Sequence, residues 1–177
     1  MLETLITNKT RIKLMFRFFL NPKSTGYLRG MEEEFGESSN AIRIELNRFE
    51  AAGMLESYKE KNKKIYRANK KHPIYAAINE IVQKQLGIDQ VLEKIIKKTG
   101  HILKVYLTGP LANGIYKGPL ELVLVGEKIN IQSLDQLIMK VEKTIGRNII
   151  CTIYNPGELT TTHINENNWL LIWDMNT

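Results

Sequence analysis

Residues 36–53 read G-E-S-S-N-A-I-R-I-E-L-N-R-F-E-A-A-G, and this stretch decides the fold of what surrounds it. Ser38 or Ser39 can accept from the free N–H groups of a first helical turn. Gly53 can end the helix in the left-handed conformation, which a glycine adopts without a steric cost. Ile42, Leu46 and Phe49 fall at i, i+4 and i+7 and form one apolar stripe. Ser39, Asn40, Arg43 and Asn47 fall on the other side, with the hydroxyl, amide and guanidinium groups that read base edges in a major groove. The pattern predicts a helix over 38–53 that is held by one face and reads DNA with the other. An ordinary surface helix has the same periodicity, so the flanking sequence must separate the two readings.

Upstream, Asn8 or Thr10 can cap a helix running to about Leu20. Its apolar residues Ile12, Leu14, Met15, Phe16, Phe18 and Phe19 cover more than one face, which predicts burial on two sides. Asn21-Pro22 stops it. A short helix follows Ser24-Thr25, with Tyr27, Leu28, Met31 and Phe35 as its inner face and Gly36 as its end. Helix, tight glycine turn, helix is the helix-turn-helix order.

Downstream, 54–58 and 65–68 read as two strands around a polar turn, a β-hairpin. Lys59, Lys61, Lys63 and Lys64 crowd its tip against the single acid Glu60, a composition suited to phosphates beside a recognition helix. The charge of the whole chain agrees. The first 71 residues hold 15 Lys/Arg and 9 Asp/Glu, whereas the remaining residues hold 10 of each. The entire net charge of +6 therefore lies in the N-terminal part, where a basic field favours a polyanion.

Residues 8–71 resemble a winged helix-turn-helix domain of the ArsR/MarR kind. The resemblance rests on Leu46-x-x-Phe49-x-x-Ala52-Gly53-Met54-Leu55 followed by the basic hairpin. It implies binding to double-stranded DNA as a homodimer, and commonly gene repression. The metal-binding cysteines of ArsR founders have no counterpart, because the one cysteine is Cys151, so metal sensing is not carried over. Cys151 itself, in the apolar run 149–153, reads as a buried, inert thiol.

Pro73 suits the first turn of a helix whose stripe is Ile74, Ala77, Ile78, Ile81, Val82 and Leu86. Gly87 interrupts, and Ile88, Val91, Leu92, Ile95 and Ile96 continue on a second helix. These helices read as a linker and dimer interface. From His101 the pattern turns to strands at 102–107, 120–125 and 149–154, with a helix at 131–145 and a last strand or short buried helix at 169–173. Such alternation predicts a small α/β layer domain.

Residues 105–125, V-Y-L-T-G-P-L-A-N-G-I-Y-K-G-P-L-E-L-V-L-V, resemble the core motif of minimal nucleotidyltransferases, with Gly109, Ala112 and Gly114 at matching positions. The departures lie in the chemistry. Pro110 stands at the family serine, Pro119 and Glu121 stand at the two metal-binding aspartates, and 148–154 holds no third carboxylate. Two hard divalent ions need a cluster of oxygen ligands, and one glutamate cannot supply it. Gly109, Asn113, Gly114 and Glu121 are accordingly candidates for a vestigial nucleotide loop. His72, His101 and His163 show no metal-ligand spacing, so no metal and no cofactor are expected.

The expectation is an α+β chain in three parts: a winged helix-turn-helix over 1–71, a helical linker over 72–100, and a degenerate nucleotidyltransferase-like domain over 101–177. Its expected function is DNA-binding transcriptional regulation, with the C-terminal domain a non-catalytic scaffold or sensor, and the chain not an enzyme. A nucleotide or protein ligand at that domain is left open. The alternative is a nucleotidyltransferase with an atypical site, or a protein-interaction module tethered to DNA. No apolar run is long enough for a membrane span and no signal peptide is evident, which predicts a cytoplasmic protein.

Overall fold

The structure is a computed structural model that describes residues 2–160, 164 and 169–176. It is mixed α+β, with eight helices and seven strands in two sheets among the described residues. Contacts divide the chain into two units, Met1–Gln85 with Gly114–Tyr116, and Leu86–Asn113 with Lys117–Thr177.

The first unit begins with α1 (Leu2–Leu5), which the sequence did not announce, and α2 (Lys9–Phe19). Asn8 caps α2 by accepting from the Arg11 N–H at 3.0 Å. Ile12, Leu14, Phe16, Phe18 and Phe19 are 0–4% exposed, so α2 is covered on more than one side. A three-residue strand β1 (Thr25–Tyr27) precedes α3 (Leu28–Phe35). Three residues of T-G-Y carry no readable alternation, which explains why β1 escaped the sequence reading.

Next comes α4 (Ser39–Ala51), capped by Ser38, whose Oγ accepts from the Ala41 N–H at 3.3 Å. Gly53, with φ +72, turns the chain out of the helix. Ile42, Leu46 and Phe49 are at most 7% exposed, and each such burial is worth about 1.5–3 kcal/mol. The hairpin is β2 (Leu55–Glu60) and β3 (Lys63–Ala68), closed by Lys61-Asn62 with Lys61 at φ +52. The sheet order β1-β3-β2 is antiparallel throughout. The turn is narrower than expected: Lys59, Lys63 and Lys64 are strand residues, held by the pairs Lys59↔Lys64 and Glu60↔Lys63.

Helix α5 (Tyr75–Leu86) closes this unit. It starts after Pro73 rather than with it. Only Ile78, Val82 and Leu86 of the expected stripe are buried; Ile74, Ala77 and Ile81 face solvent. The Asn79 amide donates to the carbonyls of Phe19 and Leu20, which the end of α2 leaves unpaired. The segment 72–100 is thus shared, α5 up to Gln85 lying in the first unit and Leu86 with α6 (Ile88–Lys98) in the second.

The second unit is built on β4 (His101–Thr108), β5 (Leu120–Glu127), β6 (Ile149–Tyr154) and β7 (Leu170–Asp174), in the order β6-β5-β4-β7. The β5–β6 pair is parallel and is crossed by α8 (Ile131–Ile145), while β4 pairs antiparallel with β5 and β7. Central β5 is buried on both faces. Leu122 and Leu124 are at most 1% exposed on one face, and Val123 and Val125 pack on the other with Tyr106, Tyr154 and Trp169. The last apolar segment is a half-buried edge strand, not a helix. The segment between β4 and β5 begins with a helical turn, α7 (Gly109–Ala112), where Pro110 fits because a first turn needs no N–H from it.

Candidate nucleic-acid interface

Helix α4 turns its stripe inward, which leaves Asn40, Arg43 and Asn47 exposed. Among the described residues none of these three side chains makes a hydrogen bond or ion pair. Ser38 and Ser39 are used differently. Ser38 caps the helix, and the Ser39 hydroxyl donates to Glu32 on α3, so both position α4 within the structure itself.

The hairpin lies beside α4, tied to it by Glu50. That carboxylate accepts from Lys64 Nζ at 2.8 Å and from the Ser57 hydroxyl. The Lys64 hydrogen bond, then that of Ser57, holds the Glu50 carboxyl below the usual range, and Glu50 in turn raises the Lys64 ammonium. Lys63 is drawn over the Tyr27 ring, 4.0 Å from its centroid. Lys59 and Lys61 have no such partner among the described residues. Of the four tip lysines, two are therefore anchored and two are open.

Between α3, α4 and the hairpin tip lies an open concavity of about 670 Å³, lined by Arg29, Arg43, Asn47, Lys63, Lys64 and aromatic residues including Tyr27 and Tyr66. Four cations and no acid line it. Arg29 was missed in the sequence, where it stands before the run Glu32-Glu33-Glu34 that masks it.

The α2–α4 contact contains a charge that the sequence did not reveal. Glu45 is 2% exposed, and its carboxylate accepts from Arg11 Nε at 2.7 Å, Asn8 Nδ2 at 3.2 Å and Arg48. Burial pushes this carboxyl up, but the hydrogen bonds and charges of Arg11 and Arg48 more than reverse the effect, leaving it below the usual range.

In the second unit, Gly109 has φ +67 and lies against the Glu121 carboxylate, so close that a Cβ there would sit 2.5 Å from the carboxyl carbon. The Asn113 amide donates to the Gly109 carbonyl at 3.2 Å and closes α7 on itself. Gly114 is grouped with the first unit, so the four loop candidates are not brought together as one described site. Among the described residues no cluster of three metal-ligating side chains occurs, and His163 lies outside them. Cys151 is half-buried, and burial, then Asp135 and Glu142, pushes its thiol up to about 12, far from the reactive thiolate. Among the described residues no helix is long and apolar enough to cross a membrane.

No family model matches the chain, and no curated protein matches it. Solved structures do match. AF1382 from Archaeoglobus fulgidus is 17% identical over 52% of this chain and 98% of its own, with a TM-score of 0.38. A chain of a mutant toxin–antitoxin MntA-HpeT is 13% identical over 51% of this chain and 73% of its own, at 0.37. A chain of a toxin–antitoxin solved with AMP-PNP is 11% identical over the same shares, also at 0.37. The expectation, drawn from missing aspartates, that the chain is not an enzyme is withdrawn. The departures at Pro119 and Glu121 are no ground for denying catalysis.

Proposed function

We propose that the chain is a cytoplasmic DNA-binding transcriptional regulator whose first unit is a winged helix-turn-helix. In this reading α3 and α4 form the helix pair, α4 enters the major groove, and β2–β3 is the wing. The observation that carries it is the acid-free concavity between α4 and the hairpin tip, with Arg43 and Asn47 unpartnered on its wall. Asn40, Arg43 and Asn47 would read bases, while Lys59, Lys61 and Arg29 would meet phosphates. Genome-wide mapping of bound DNA with the full chain tests it. Discrete sites enriched upstream of genes support the reading, and the absence of any enriched DNA refutes it.

A second reading concerns the other unit: a nucleotidyltransferase with an atypical site. Gly109 opening α7 in the left-handed conformation against Glu121 favours it, because that geometry sets backbone beside a carboxylate at the strand end. Incubation with labelled nucleoside triphosphates and magnesium or manganese tests it. Label appearing on an acceptor and lost in Glu121→Gln supports transfer; no label on any acceptor refutes it. The two readings concern different units and do not compete for residues.

A further inference from the structure

At the base of the hairpin, away from its tip, a second open concavity of about 560 Å³ is lined by Lys23, Tyr58, Arg67, Lys70, Lys71 and the hydroxyl residues Ser24 and Thr25. Its volume is that of a small-molecule pocket. The one acid on its wall, Glu56, is already engaged by Arg67, with Nη2 to Oε2 at 3.0 Å. Among the described residues the ammonium groups of Lys23, Lys70 and Lys71 make no ion pair. Three unpaired like charges around one concavity repel one another and build a local positive potential that a polyanion relieves.

The wall also carries a flat recognition surface. Tyr58 is 41% exposed, and the Arg67 guanidinium lies over it with its carbon 5.6 Å from the ring centroid. A guanidinium held on an exposed aromatic ring is a platform on which a further π-system can stack. Cations for phosphates and a platform for a base thus occur in one pocket. The tip and base concavities share no lining residue, and Tyr66 of the first and Arg67 of the second leave β3 on opposite faces. The base concavity is therefore a separate place from the proposed DNA-reading surface.

We propose that this concavity binds a nucleoside polyphosphate, with its base on Tyr58–Arg67 and its phosphates among Lys23, Lys70 and Lys71. Calorimetry on the full chain at low salt, with ATP, inorganic tripolyphosphate and inorganic phosphate as probes, tests it. ATP should bind more tightly than tripolyphosphate, and tripolyphosphate more tightly than phosphate. The double variant Lys70→Ala with Lys71→Ala should lose about tenfold or more in ATP affinity, since charge-assisted contacts go. Tyr58→Ala should bring ATP down to the level of tripolyphosphate. The double variant should hold a mapped DNA site within about twofold of wild type, which separates this pocket from the DNA surface. Three results overturn the proposal: no saturable ATP binding, ATP binding unchanged in the double variant, or DNA affinity falling in parallel with ATP affinity.

Discussion

Arg11 on α2 and Glu45 on α4 meet at 2.7 Å with Glu45 only 2% exposed, so the helix proposed to read DNA is fixed to the core by a buried carboxylate as well as by its apolar stripe. A stripe of Ile42, Leu46 and Phe49 sets which side is buried, but apolar contacts are non-directional. The Arg11 and Asn8 hydrogen bonds reach that carboxylate from α2 and its cap and set the rotation of α4 about its axis, while Arg48, on α4 itself, adds a third donor.

Glu45→Ala should destabilise the protein by about 1–3 kcal/mol, measured by denaturant unfolding, because the partners lose a charge-assisted acceptor. Arg11 is 39% exposed and can turn to water, which keeps the loss below that of a fully buried pair. A wild-type unfolding midpoint in Glu45→Ala would remove this contact from the account.

The same residue gives a pH dependence. The folded-state pKa of Glu45 lies below its ordinary value of 4.5, so its contribution is fully present above that value and is lost as pH falls through the folded-state pKa. Stability measured from neutral pH into the acid range should fall less steeply below 4.5 in Glu45→Gln than in wild type. Parallel curves would show that Glu45 is not linked to acid unfolding.

Gly109 should tolerate alanine poorly. At φ +67 an L-residue costs roughly 1–2 kcal/mol, and the Cβ also meets the Glu121 carboxylate. The carboxylate is the movable end of a long side chain, so Gly109→Ala with Glu121→Ala should recover the steric part and leave the backbone part. Thermal unfolding of the single and double variants separates the two. Full recovery in the double variant would mean that the φ value carries no cost.

A homodimer should form through α5 and the residue before it, where Ile74, Ala77 and Ile81 are exposed, with Ile74 and Ile81 exposed by 46% and 41%. Sedimentation at micromolar concentration should give twice the chain mass, and Ile81→Asp should give the single mass. In a two-fold dimer the two α4 helices would lie about one DNA turn apart, ~34–36 Å, and bind a near-palindromic site. Monomeric wild type in sedimentation would contradict the arrangement.

Local chemistry was readable in the sequence wherever a residue acts on its own neighbours. Of the caps read as Asn8 or Thr10 and as Ser38 or Ser39, Asn8 and Ser38 serve, and α8, β4, β5 and β6 fall where apolar residues place them. What escaped depends on partners distant in sequence. Glu45 reads as a solvated carboxylate until α2 brings Arg11 to it across 34 residues. Lys63 and Lys64 read as a free tip until Tyr27 and Glu50 claim them. Arg29 joins the concavity only because α3 and the hairpin fold to the same side of α4.

The most direct test measures the affinity of wild-type chain and Arg43→Ala for the best mapped DNA site over a range of salt concentrations, with Lys61→Ala as a third protein. Arg43→Ala should weaken binding to that site by ~1–3 kcal/mol while leaving unrelated DNA nearly unaffected, as loss of a base contact requires. Lys61→Ala should weaken both DNAs alike and lower the salt slope by about one, as loss of a phosphate contact requires. Equal affinities of wild type and Arg43→Ala for the mapped site would contradict the assignment of α4 as the reading helix.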